Sequence, residues 1–186
     1  MKINKKINAT PIYYLLLFQI FFISPGEAMS NFDEVLNKIA VKTGREIEKE
    51  NSCLVFSGSG GSLSSDEIII HEKLIFNTNK VLLKEEGVVL ISKIIKTYMK
   101  NLNKERLLEE YLERHPFDYK NIFIKIFTYT CDGEDVFHPD IESFTLQDGI
   151  LTYITISASE KYYYEEASCS KESYLEAAKR LAIPSF

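Results

Sequence analysis

A change of hydrophobic period between residues 84 and 156 constrains this chain more than any other feature. From Lys84 to Leu102, residues Val88, Ile91, Ile95, Tyr98 and Leu102 recur at steps of three and four opposite a row of lysines, the stripe of an amphipathic helix. Lys104 to Arg114 repeats the pattern with Leu107, Leu108, Tyr111 and Leu112, helped by Glu110 and Arg114 four residues apart. Pro116 then pushes His115 out of the helical region. The two segments predict a helical hairpin or one kinked rod. From Ile122 to Thr130 the period falls to two, with Ile122, Ile124 and Ile126 on one face and Phe123, Phe127 and Tyr129 on the other. That is a strand with both faces at least partly covered. Asp132-Gly133 and Asp148-Gly149 signal tight turns, with extended runs at Val136 and Phe137, Ile141 to Leu146 and Ile150 to Ile156. The C-terminal half reads as an antiparallel meander.

Elsewhere the pattern is plainer. Ser30 followed by Asp33 resembles a capping box, and Phe32, Leu36, Ile39 and Ala40 carry a helix from about Asn31 that Gly44 is expected to end or interrupt. Cys53 to Phe56 is a short apolar strand or extended segment, and Ser57 to Ser62 reads as a flexible glycine-serine loop or hinge. Glu67 to Phe76 reads as a strand with Ile68, Ile70, Leu74 and Phe76 as one face. Ser170 is expected to cap a last helix whose apolar side is Tyr174, Leu175, Ala178 and Leu181, ended by Pro184. Helices before and after a run of hairpins predict an α+β fold: an antiparallel sheet of three to five strands with helices packed on one face. Residues 29–65 would supply the first helix and the glycine-rich segment and residues 66–186 the α+β domain, together one folding unit. No internal repeat is visible.

Residues 1–28 read as a signal peptide. Lys2, Lys5 and Lys6 precede an apolar run from Ile12 to Ile23, Pro25 breaks it, and Gly26 and Ala28 give a small-residue exit. The run is well short of the ~20 residues a membrane-spanning helix needs, so cleavage after Ala28 is expected, with an uncleaved anchor as the alternative. Val88 to Leu102 is interrupted by Ser92, Lys93, Lys96 and Lys100, so no later span is expected. The expected destination is secreted or periplasmic. Cys53, Cys131 and Cys169 would there form one disulfide among three pairings and leave one thiol, whereas a reducing cytosol would keep all three as ordinary residues. Cleavage shifts the net charge from −5 to −7. With no basic run to attract phosphates, nucleic acid is excluded as a partner and a protein or envelope component is expected.

His115-Pro116-Phe117, Asn121 opening an alternating strand, Asp132-Gly133, Val136-Phe137-His138-Pro139 and the closing Gly149-Ile150-Leu151-Thr152-Tyr153 together resemble a group of small exported proteins of intracellular bacteria with no assigned activity. The likeness covers about 40 residues, from His115 to Tyr153. It implies export and a helix-then-meander layout, and brings with it no cofactor, substrate or site residue.

Motifs of sharper chemistry fail on context. His138-Pro139-Asp140 spells the tripeptide of J-domain co-chaperones, but lies between strand-like segments rather than between two helices, and reads as a proline bend. Asp132, Glu134, Asp135 and Asp140 crowd into nine residues and are candidate cation ligands, yet their spacing does not match the Asp-x-Asp-x-Asp-Gly loop and a hairpin turn with solvated acids accounts for them. His71, His115 and His138 are dispersed, so no metal or cofactor is expected. A nucleophile would be Cys53, or Ser57, Ser59 or Ser62, with a histidine from elsewhere. The serines lack the Gly-x-Ser-x-Gly elbow and no Gly-Lys-Ser/Thr follows. Tyr162, Tyr163 and Tyr164, with Phe123, Phe127 and Tyr129, are the candidate recognition surface. The expected function is an exported non-catalytic binding protein; the alternatives are a small secreted hydrolase using Cys53 or a loop serine, and a cation-binding envelope module.

Overall fold

The computed structural model describes residues 31–63, 69–158 and 164–184; the signal peptide expected over residues 1–28, and Tyr162 and Tyr163, lie outside them. The elements in order are α1 (Asn31–Glu50), β1 (Leu54–Leu63), β2 (Ile69–Thr78), α2 (Lys84–Leu102), α3 (Glu109–Arg114), β3 (Ile122–Thr128), β4 (Ser143–Gln147), β5 (Ile150–Ala158), β6 (Tyr164–Ser173) and α4 (Tyr174–Arg180). The strands form one sheet whose spatial order repeats the chain order, β1 to β6. The fold is α+β, with six strands rather than the three to five expected. The sheet is mixed: β2 and β3 are parallel, the other neighbours antiparallel. A parallel pair requires a crossover, and the segment containing α2 and α3 provides it.

Four local expectations fail for identifiable reasons. The run Ser57 to Ser62, expected as a loop, is strand, because β2 pairs with it along its length, with register shifts between Phe56 and Gly58 and between Ser62 and Leu63. Gly44 lies inside α1 instead of ending it. A Cβ there would sit 2.3 Å from the Phe56 ring, so this glycine lets helix and strand approach closely. Ser170 lies within β6 and the α4 cap position falls at Ser173. Most of β6 is exposed on both faces, so it never shows the one-sided alternation that marks a strand. Val136 and Phe137 form no strand either: an isolated Tyr129–Asp135 bridge leads into a turn with a cis His138–Pro139 bond.

Period two sends Leu74 and Phe76, Ile124 and Ile126, Phe144 and Leu146, and Leu151 and Tyr153 to one side, where the register aligns them. All eight are buried, each aliphatic or Phe side chain contributing about 1.5–3 kcal/mol. The helices pack here. Gly87 of α2 lies so close to the Phe144 ring that a Cβ would meet it at 2.2 Å, and Tyr174 of α4 packs on Tyr119 at 5.2 Å between ring centres. Asn101 of α2 donates to Thr43 Oγ1 of α1 at 3.1 Å, joining the two long helices through a buried polar contact. Asp148 (φ 50°) and Gly149 (φ 75°) both take positive φ in the β4–β5 turn, as a tight two-residue hairpin demands. Among the described residues, no helix is long and apolar enough to cross a membrane.

Candidate functional site

The face of the sheet turned away from the helices carries the most distinctive chemistry. Lys73 and Ile75 of β2, Phe123, Lys125 and Phe127 of β3, and Thr152 and Ile154 of β5 alternate with the core residues and so point to this side. The register puts Gly60, Lys73 and Phe123 in one row across the strands. Ile75, Lys125, Thr145, Thr152 and Lys171 form the next. Lys73 Nζ stands 5.3 Å from the Phe123 ring centre and Lys125 Nζ 4.4 Å from that of Phe127, contacts of about 0.5–1 kcal/mol each. Among the described residues no carboxylate comes within ion-pair distance of Lys73, Lys125 or Lys171.

At the β1 end of this face is a groove of about 370 Å³ lined by Gly60, Gly61, His71, Lys73, Phe123, Gln147 and Asp148. Its wall at Gly60 is bare backbone, and a Cβ placed there would meet nothing within 4 Å. His71 Nε2 lies 3.9 Å from Asp148 Oδ1, across the groove mouth. The β1 edge beside it is closed only in its first half. The Leu54 N–H donates to Asn51 O at 2.9 Å and the Phe56 N–H to Glu48 Oε1 at 2.7 Å; beyond Phe56 no described residue closes the outer edge in this way.

Two carboxylates are held far from their ordinary range, in opposite directions. Glu72 of β2 is buried on the helix side over Gly61, whose Cβ would come 2.4 Å from Glu72 Oε1. Burial pushes its carboxyl up to about 7; the facing Tyr98 hydroxyl works against this shift and the Asp33 carboxylate adds to it. No hydrogen bond of normal geometry closes between Tyr98 and Glu72, and Tyr98 Oη is buried without a hydrogen-bond partner among the described residues. Glu172 of β6 is the reverse case. Its carboxylate accepts from Arg180 Nη1 and Tyr153 Oη, each at 2.7 Å, and lies 3.1 Å from Lys84 Nζ. These donors, Arg180 foremost, hold it down at about 2. A hydroxyl chain further along the same β5–β6 pair runs from His138 Nδ1 through Thr155 Oγ1 at 3.3 Å to Ser168 Oγ at 2.8 Å. None of these three arrangements has a signal in the sequence, because each joins residues that only strand pairing or the packing of helices on the sheet brings together.

The residues singled out from the sequence are scattered. Tyr164 Oη donates to Asp135 Oδ2 at 2.6 Å and its ring lies 6.2 Å from Phe137, away from Phe123 and Phe127. Of the four clustered acids, Asp132, Glu134 and Asp140 are exposed and Asp135 is half-buried on Tyr164; among the described residues no three His, Cys, Asp or Glu side chains converge as a metal site would require. Cys53, Cys131 and Cys169 are free, exposed thiols on separate elements, so the expected disulfide is not formed in this structure. Cys53 borders a second groove, about 570 Å³, between the end of α1 and the start of α2; no histidine is among its lining residues. Ser59 Oγ donates to Asn37 at 3.1 Å and serves to join β1 to α1. No protein-family model, curated protein or solved structure matches this chain.

Proposed function

We propose that this chain is an exported, non-catalytic binding protein, and that it recognises an acidic partner through the open face of its sheet. The observation that carries this reading is a local excess of lysine. The chain has a net charge of −5, yet Lys73, Lys125 and Lys171 stand on one face among Phe123, Phe127, Ile75 and Ile154. Lysines over rings present charge and apolar surface together, which suits a partner with acidic and apolar side chains in alternation. Export rests on the leader read in residues 1–28, and a partner outside the cytoplasm follows from it.

The hydrolase alternative needs a base beside its nucleophile; the groove at Cys53 has no histidine in its lining, and Ser59 is hydrogen-bonded to Asn37, while Ser62 pairs opposite His71 in the β1–β2 register and is the loop serine on which that alternative would rest. The test is titration of the purified protein with fluorescein-labelled polyglutamate. Wild type is expected to bind with an affinity that falls as salt rises, and the Lys73→Glu, Lys125→Glu, Lys171→Glu triple variant at least tenfold more weakly. Equal binding by the two overturns the proposal. Export is checked by the intact mass of the protein recovered from culture medium and cell fractions, a form beginning at Met29 being the expected result.

A further inference from the structure

We infer that the second half of β1 is a strand-addition edge, and that it takes an extended peptide bearing one acidic side chain, whose carboxylate lies across Gly60 and pairs with Lys73. The inference deepens the open-face reading and rests on it. Four observations meet here. β1 is an edge strand of ten residues with no charged side chain, whereas exposed edges are ordinarily guarded by lysine, proline or a covering element. Its first half is closed by Asn51 and Glu48, and beyond Phe56 no described residue does the same. Gly60 raises no side chain on the open face, and the groove of His71, Lys73 and Phe123 begins directly behind it. Lys73 has no carboxylate partner among the described residues, while His71 already faces Asp148.

The geometry of strand addition supplies the rest. An added strand lies about 4.8 Å outside β1, so that Lys73, on β2, stands two strand spacings from it. On most edges the intervening residue would block a side chain reaching inward across the face. At Gly60 there is only backbone, and a glutamate from the peptide meets the lysine stem over it. Main-chain hydrogen bonds to the edge then provide affinity for any extended segment, and the Lys73 groove selects among segments.

The experiment uses the full chain and three ten-residue peptides of alternating threonine and valine, with Glu, Gln or Lys at one central position, read by fluorescence anisotropy. Amide exchange over residues 57–63 is followed in the same complexes. The Glu peptide is expected to bind at least tenfold more tightly than the Lys peptide, in a preference that Lys73→Glu reverses, and to protect the amides of 57–63. Gly60→Val, which fills the passage, is expected to weaken the Glu peptide at least tenfold. A circular-dichroism spectrum and melting temperature of Gly60→Val close to those of wild type show that the loss is not one of folding, since a Cβ at this position meets nothing within 4 Å. If Lys73→Glu abolishes binding but Gly60→Val does not and 57–63 stay unprotected, the edge inference falls and the open-face reading stands. Binding of all peptides indifferent to Lys73→Glu overturns both. A single-stranded oligothymidine that binds in a Lys73-dependent manner while the peptides do not also overturns the inference, in favour of nucleic acid.

Discussion

β6 carries Glu165, Glu166, Lys171 and Glu172 within its ten residues, whereas β1, of the same length at the opposite edge, carries no charged side chain. The two edges also sit beside oppositely tuned acids. Next to β1, Glu72 is held toward its neutral form by burial. On β6, Glu172 is held ionised by Arg180, Tyr153 and Lys84. One edge is guarded and pinned by charge, and the other is kept uncharged and packed by apolar contact, with the Phe56 ring seated on Gly44 of α1. The comparison teaches that a single sheet can leave one rim available for pairing provided the other repels it.

The largest effect is expected from unpinning β6. Glu172→Ala leaves the Tyr153 hydroxyl, on a residue 3% exposed, without its acceptor, and strips Arg180 and Lys84 of their shared partner; a loss of about 3 kcal/mol in urea unfolding is expected. Amide exchange should rise in β6 and α4 ahead of β1, and a uniform rise would count against β6 as a separately fastened edge.

Next comes pH, to which the two edges answer in opposite directions. Glu72 ionises near 4.5 when unfolded and at about 7 when folded, so the folded state binds more protons between those values. Stability therefore falls as pH rises from about 4.5 to 7, by about 2–3 kcal/mol. Glu172, held at about 2, gives stability that is present above 4.5 and lost as pH falls toward 2. Chemical denaturation across pH 2–8 should show a maximum near pH 4.5–5, with the alkaline limb flattened by Glu72→Gln and the acid limb by Glu172→Gln. Wild-type and Glu72→Gln profiles that run parallel between pH 4.5 and 7 would remove the buried acid from the account.

Smaller still is the loosening of β1. Gly44→Ala drives a methyl group into the Phe56 ring and should lower stability by about 1–2 kcal/mol despite alanine's better helix propensity, measured by thermal melting. Smallest in stability, within about 0.5 kcal/mol, is replacement of Glu166 and Lys171 by threonine, which removes guards from β6. Its effect is sought in sedimentation instead, where concentration-dependent self-association is expected in the variant and absent from wild type.

What was legible in the sequence followed local periodicity. The stripe Val88, Ile91, Ile95, Tyr98, Leu102 marked α2 from Lys84 to Leu102, and the alternation from Ile122 marked β3. The Asp148-Gly149 turn was equally visible, because few residues tolerate its positive φ. The start of β1, Leu54 to Phe56, was visible as an apolar segment, but its second half was hidden because glycine and serine have poor strand propensity, and neighbouring β2 and α1 override it. β6 was hidden because a strand exposed on both faces has no hydrophobic period. Of the site, Phe123, Phe127 and Tyr164 could be named from composition and pattern, but not their separation. The pairing of Lys73 with Phe123, and the burial of Glu72, depend on register between strands some fifty residues apart, which no local pattern encodes.

A sheet whose strands lie side by side in the order in which they are made also comes apart in that order. Pulled from the start of β1 or the end of β6, each hairpin loses its ladder one rung at a time, as a zip opens, instead of all rungs sharing the load as they would in shear. A narrow pore or an unfoldase drawing on the β1 end would open one hairpin before it met the parallel β2–β3 pair, where the chain must first be drawn out through α2 and α3; one drawing on the β6 end would first have to break the contacts of Glu172 with Arg180, Tyr153 and Lys84.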